Sequence, residues 1–213
     1  MSPKPRPDDS LRPALEALAE VDGDIARHYR ACGLPPVRRR PEGFAGLVHI
    51  IVAQQLSAQS ANAIIARLEA AARPLTPENF LKIGDKAMKT IGLSGQKTRY
   101  GRVLAEDLLA GRLDLDGLAE LDDEAAIERL VQIKGIGRWT AEIYLLFALG
   151  RPDVWPADDL AVQAAAQRVK GLDERPTRAE MIEIAEPWRP HRSAAARFLW
   201  HVYRHPGVPD GQA

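Results

Sequence analysis

The spacing of apolar residues constrains this chain more than any other feature. Over residues 11–32, Leu11, Leu15, Leu18, Val21 and Ile25 recur at intervals of 3 and 4, and similar stretches follow along the chain. That interval tracks one face of a helix, whereas a half-buried strand needs strict alternation. No alternation longer than a few residues occurs, and no internal repeat is present. The fold class is therefore all-α, with about ten helices joined by short loops. Helices are expected over residues 11–32, 44–55, 58–72, 77–83, 85–91, 94–109, 124–132, 139–149, 158–169, 177–185 and 192–204. Ser57, and either Asp122 or Asp123, stand where a cap is needed. Gly33-Leu34-Pro35-Pro36 and Gly150-Arg151-Pro152-Asp153 punctuate the pattern. Ala and Leu are abundant and aromatics make up only 6%, which points the same way.

Several function classes are excluded early. The chain of 213 residues has one cysteine, Cys32, so it builds no intrachain disulfide and no cysteine-rich zinc or iron–sulfur site by itself. No apolar run is long enough to span a bilayer. Met1 to Asp9 carry Pro and charge without an apolar stretch, so residues 1–9 are expected as a disordered tail and 10–213 as the domain. A cytoplasmic location is the expectation. Formal charge is zero, 29 basic against 29 acidic, which argues against a whole-molecule electrostatic grip on nucleic acid. The distribution is uneven, however. Lys86, Lys89, Lys97, Arg99 and Arg102 form an acid-free run, as do Arg189, Arg192, Arg197 and Arg204. Each run reads equally well as a solvated helix face or as a surface for an anionic partner.

The stretch that carries chemistry is Leu130-Val131-Gln132-Ile133-Lys134-Gly135-Ile136-Gly137-Arg138-Trp139-Thr140-Ala141. It reads as helix, tight turn, helix. Glycines permit positive φ and close approach of a ligand. The first amides of the second helix lack intrahelical partners and carry partial positive charge. Together they form a site for a phosphate, with Ile136 turned inward as a pin. Carbonyls on the other side of the turn, those of Val131, Ile133 and Ile136, can face a monovalent cation. Such a device grips DNA backbone without reading sequence.

With this context the chain resembles the helix–hairpin–helix superfamily of DNA glycosylases. Within it, the chain is most similar to 3-methyladenine DNA glycosylase II (AlkA-like), in a compact form lacking the N-terminal mixed domain. Ile50-Ile51-Val52-Ala53-Gln54-Gln55-Leu56-Ser57, Ile91-Gly92-Leu93-Ser94-Gly95-Gln96-Lys97 and Trp188-Arg189-Pro190-His191-Arg192-Ser193-Ala194 with Trp200 carry the resemblance further, over residues 44–203. It implies two helical lobes with an active-site cleft between them, the central segment being about residues 44–160. It also implies a catalytic Asp past the hairpin, and Asp159 lies 20 positions after Trp139. In this register Asp159 acts and its neighbour Asp158 caps.

The remaining assignments follow from the same resemblance. Trp139, Trp200, Ile143 and Tyr144 line a base pocket. Lys134, Gly135, Ile136, Gly137, Arg138 and Thr140 form the hairpin, and Ser94, Gln96, Lys97 and Arg192 make further backbone contacts. Gln55 and Leu56 fill the gap left by a flipped nucleotide. No cofactor is required and no iron–sulfur cluster is expected, although a structural Na or K ion suits the hairpin. The partner is double-stranded DNA with alkylated bases, handled by a monomer in the bacterial cytoplasm, associated with the nucleoid, with no membrane. Lyase-type members place a Lys where Trp139 stands, so hydrolysis by water is expected instead. Open beside this are another lesion (deaminated, mismatched or oxidised), a non-catalytic DNA-binding module, and a helical protein unrelated to DNA.

Overall fold

The computed structural model describes residues 6–205. Among the described residues it contains twelve α-helices and no strand. They are α1 (Arg12–Val21), α2 (Gly23–Cys32), α3 (Gly43–Ala53), α4 (Ala58–Ala71), α5 (Pro77–Leu81), α6 (Asp85–Ile91), α7 (Gly95–Leu109), α8 (Asp123–Val131), α9 (Arg138–Phe147), α10 (Leu160–Lys170), α11 (Arg178–Ala185) and α12 (Arg192–Tyr203). Side chains at the starts explain many of the boundaries. Ser57, Thr76, Ser94, Asp122 and Thr177 each accept an amide of the helix that follows, and Thr177 with Glu180 completes a capping box.

The expected single helix over residues 11–32 is two. Asp22 leaves helical geometry (φ −138°, ψ 103°), and its Oδ1 accepts the amides of Asp24 and Ile25. The 3.6-residue spacing of apolar groups continues through this break, which is why periodicity alone does not register it. The tail is also corrected. Residues 1–5 lie outside the described residues, but Asp8 is buried, accepts from Arg197 and Ser10, and caps a short 3-10 turn, Asp9–Leu11. A charged residue so placed is tied down by its ion pair, which a composition argument cannot see.

The described residues divide into two compact units, one of residues 39–150 and one of residues 6–38 with 151–205. The central segment therefore ends at Gly150 (φ +67°), not near residue 160, and the Asp159 segment belongs with the terminal helices.

In the 39–150 unit, α3 is the central element, buried at every position from Gly46 to Val52. It contacts α4, α7 and α9. A helix apolar on all sides is one surrounded by others. Gly101 of α7 lets α5 approach: a Cβ there would sit 2.4 Å from the ring of fully buried Phe80. In the other unit α10 and α12 pack together, with α1 and α2 against them. Asp22 ties three elements there, since its Oδ2 accepts from Lys170 Nζ and Trp188 Nε1, each at 2.7 Å. Burial alone would raise the Asp22 pKa, but Lys170 and the Trp188 indole hold it below the usual carboxylate value.

Candidate functional site

The hairpin joins α8 to α9 through tight turns. Ile133 N–H donates to Leu130 O at 3.1 Å, and Ile136 N–H to Ile133 O at 3.0 Å. Ile136 is buried, as its role of pin requires, while Lys134 and Gly137 are exposed. The two glycines serve different ends. Gly135 has φ +96°, and a Cβ there would lie 2.2 Å from Tyr100 Cγ. Gly137 has φ −87°, caps α9, and a Cβ on it would meet nothing within 4 Å. The fold thus requires glycine at 135 but leaves open space beside 137, which a ligand backbone can use.

Arg138 and Thr140 are not free to grip a phosphate. Arg138 makes a two-pronged bond to Glu124 (2.6 Å each) and reaches Glu142 at 2.9 Å. The Glu124 pairing, with Glu142 beside it, raises the guanidinium pKa well above its ordinary value. Thr140 is buried and accepts the side-chain amide of Gln54 at 3.0 Å.

Four other assigned residues are also corrected. Lys97 points inward, and its Nζ donates to the carbonyls of Val52 and Gln54, each at 2.7 Å. These carbonyls end α3, where a cation satisfies acceptors that have no helical partner. Burial pushes the Lys97 pKa down. Arg192 is locked to Asp153: Nε to Oδ1 at 2.9 Å, Nη2 to Oδ2 at 2.9 Å and Nη2 to the carbonyl at 2.8 Å. Ile143 and Tyr144 are core residues, 4% and 1% exposed. Tyr144 OH accepts the Gly43 amide at 2.9 Å, at a helix start whose preceding Glu42 supplies no side-chain cap. Ser94 and Gln96 stay at the surface, Ser94 capping α7 and Gln96 donating to Tyr100 OH at 2.7 Å.

Gln55 and Leu56 project from the end of α3 and are exposed, Leu56 by 40%. Leu56 N–H donates to Ala53 O at 3.2 Å, closing a turn across Gln54 (φ −52°, ψ 128°) and Gln55 (φ +56°). This is type II geometry, whose third position ordinarily takes Gly. Among the described residues Gln55 is the one non-glycine with positive φ.

In the other unit, Asp159 is buried and is the N-cap of α10. Its Oδ1 accepts Ala161 N at 3.0 Å, Val162 N at 2.9 Å and Trp200 Nε1 at 3.0 Å. The cap expected of Asp158 is made by Asp159 instead. Asp158 is exposed and pairs with Arg178 at 3.0 Å, while Asp159 takes the cap. One carboxylate therefore both caps a helix start and is braced by an indole, which fixes its orientation. The loop before it is fixed too. Val154 exchanges hydrogen bonds with Ser193, Trp155 Nε1 donates to Met181 O, and Gln163 Nε2 donates to Ala157 O. Trp139 and Trp200 are both half-buried, and Trp200 stands beside Asp159.

Sequence reasoning missed Gln54, Asp22 and Asp153, whose roles depend on partners far along the chain. Gln54 had a signal in its adjacency to Gln55, but nothing local marks it as the one turned inward.

An all-helical chain with a helix–hairpin–helix and a carboxylate held at a later helix start defines a DNA-handling class. The chain belongs to the HhH-GPD superfamily of base excision DNA repair proteins, whose profile matches residues 48–190. It is 36% identical over 165 residues to DNA-3-methyladenine glycosylase 1 of Schizosaccharomyces pombe, covering 76% of this chain and 72% of that one. Its fold matches a solved S. pombe 3-methyladenine DNA glycosylase (Mag1) in complex with abasic DNA, with TM-score 0.82 and 31% identity over 94% of this chain and 99% of that one. A DNA-3-methyladenine glycosidase from Bacillus halodurans matches with TM-score 0.78 and 32% identity, over 90% and 89% of the two chains.

Proposed function

We propose that this chain is a monofunctional DNA glycosylase that removes alkylated bases, of the 3-methyladenine and 7-methylguanine type, from duplex DNA. The observation that carries the reading is Asp159, a buried carboxylate whose Oδ1 is held by two helix amides and an indole. The names of its relatives, DNA-3-methyladenine glycosylase 1 in S. pombe among them, support the substrate class.

The chemistry follows from one fixed negative charge. A flipped nucleotide presents its sugar to the carboxylate. The N-glycosidic bond breaks with its electron pair going to the base, and C1′ gains oxocarbenium character. Asp159 stabilises that positive charge, and water adds to C1′ as its proton passes to the carboxylate. An alkylated purine carries a formal positive charge and leaves as a neutral base, so no second acid is needed to protonate it. Trp139 stands where a Schiff-base lysine would otherwise be, which supports hydrolysis without strand cleavage. Trp139 and Trp200 offer aromatic faces to an electron-poor base.

Gly137, the exposed start of α9 and Lys134 take the DNA backbone. The carbonyls of Val131, Ile133 and Ile136 are neutral oxygen donors of the kind Na or K prefers, and the Ile136 amide already orients the Ile133 carbonyl. The protein works as a monomer in the cytoplasm.

The test is product analysis. Methylated duplex DNA incubated with the protein should release free methylated purine and leave alkali-labile sites in intact strands. Strand breaks without alkali would contradict the monofunctional reading, and absence of released base would contradict the activity itself.

A further inference from the structure

Gln54 ties the tip formed by Gln55 and Leu56 to the hairpin, and Lys97 ties it to the end of α3. Gln54 Nε2 donates to Thr140 Oγ1 at 3.0 Å and to Gly135 O at 3.4 Å. Its own carbonyl accepts Lys97 Nζ at 2.7 Å, and the same ammonium binds Val52 O at 2.7 Å. Tyr100, one turn along α7 from Lys97, packs on Gly135 so closely that no Cβ fits there. The strained φ of Gln55 thus lies between a clamped carbonyl and an exposed side chain. A non-glycine residue persists in that conformation only where its surroundings impose it, and such strain clusters at functional tips.

We propose that Lys97 and Gln54 are positioning residues that hold the Gln55–Leu56 tip pre-formed and joined to the hairpin, so that gripping the backbone and filling the gap in the duplex occur as one docking event. The proposal rests on the glycosylase reading for its consequence but not for its geometry. A loose tip would have to be ordered while the nucleotide is extruded, and that ordering would slow extrusion. Bond cleavage at Asp159 would not change once the base is out. Lys97 acts through the α3 carbonyls, and Gln54 through Thr140 and Gly135, so neither needs to touch DNA.

The test uses the full chain with Lys97→Met, which keeps the aliphatic stem, Gln54→Leu, and Lys97→Arg as the conservative variant. Single-turnover base release is measured on a methylated purine in a fully paired duplex and on the same purine opposite a one-nucleotide gap, where it has no pairing partner to leave. Lys97→Met should be slower by about tenfold or more on the paired duplex, as expected for losing charge-assisted bonds, and within about twofold on the gapped one. Gln54→Leu should show the same split with a smaller loss, and Lys97→Arg should recover most of the rate. Equal losses on both substrates, or none on either, would overturn the proposal. Amide hydrogen exchange of residues 53–56 in the DNA-free protein is independent of any activity. It should be faster by about tenfold in Lys97→Met with α9 unchanged. Unaltered exchange at the tip would overturn the proposal, whereas wild-type protein that releases no base would count against the glycosylase reading alone.

Discussion

Single residues here carry more than one duty, and that makes their variants informative. Asn caps a helix about as well as Asp and keeps an oxygen for the Trp200 indole. Asp159→Asn should therefore fold with a melting temperature close to wild type, measured by calorimetry. Gln55→Gly should do the opposite of what a deleted side chain suggests. Removing a strained positive φ should raise stability by up to ~1 kcal/mol in a denaturant titration, while the lost side chain weakens extrusion of the nucleotide. Asp22 is the residue whose loss should matter most to the fold. It caps α2 and binds both Lys170 and Trp188. Asp22→Ala leaves a buried indole N–H without its partner and the Lys170 ammonium with Asp24 alone, and should cost about 2–4 kcal/mol by the same titration. The sequence places Asp22 inside one helical stretch, and its partners stand 148 and 166 positions away. Nothing in local pattern reports a contact at that distance.

At the scale of elements, the hairpin was legible because its determinants are local. A helix, a glycine at positive φ, an inward Ile and a second helix lie within one short stretch, and each is found where its chemistry puts it. The basic side chains were not legible. Lys97, Arg138 and Arg192 read as phosphate contacts because they are basic and near the right motifs. Each instead answers an acceptor brought by the fold: α3 carbonyls, Glu124 with Glu142, and Asp153. Charge type is visible in a sequence, but pairing is not. The difference between the two hairpin glycines gives a test. Gly137→Ala meets open space at an ordinary φ and loses only the N-cap preference for Gly over Ala, so its melting temperature should stay within about 3 °C of wild type. Its affinity for duplex DNA, measured by fluorescence anisotropy, should still fall about tenfold as the methyl obstructs backbone approach. Undiminished affinity would remove Gly137 from the DNA contact.

At the scale of the molecule, a buried histidine, His49, ties stability to pH. The all-α class and most helix positions followed from periodicity, since each helix buries one face. The division into units did not, because it is set by which helices meet, not by where they lie in the chain. His49 sits in the core of the 39–150 unit, 3.0 Å from Glu69 and near Arg40. Burial, reinforced by Arg40 and opposed by Glu69, lowers its pKa below 6.5. The folded state thus favours the neutral ring, and stability is complete above 6.5 and declines as pH falls below it. Melting temperature should drop as pH is lowered from about 6.5 toward 5, and His49→Gln should flatten part of that slope. The account's central claim is that one fixed carboxylate does the chemistry, and a single measurement bears on it directly. Single-turnover release of methylated purine from duplex DNA should fall by about 10²-fold or more in Asp159→Asn, with DNA affinity retained within about threefold. Release at the wild-type rate by that variant would contradict the claim.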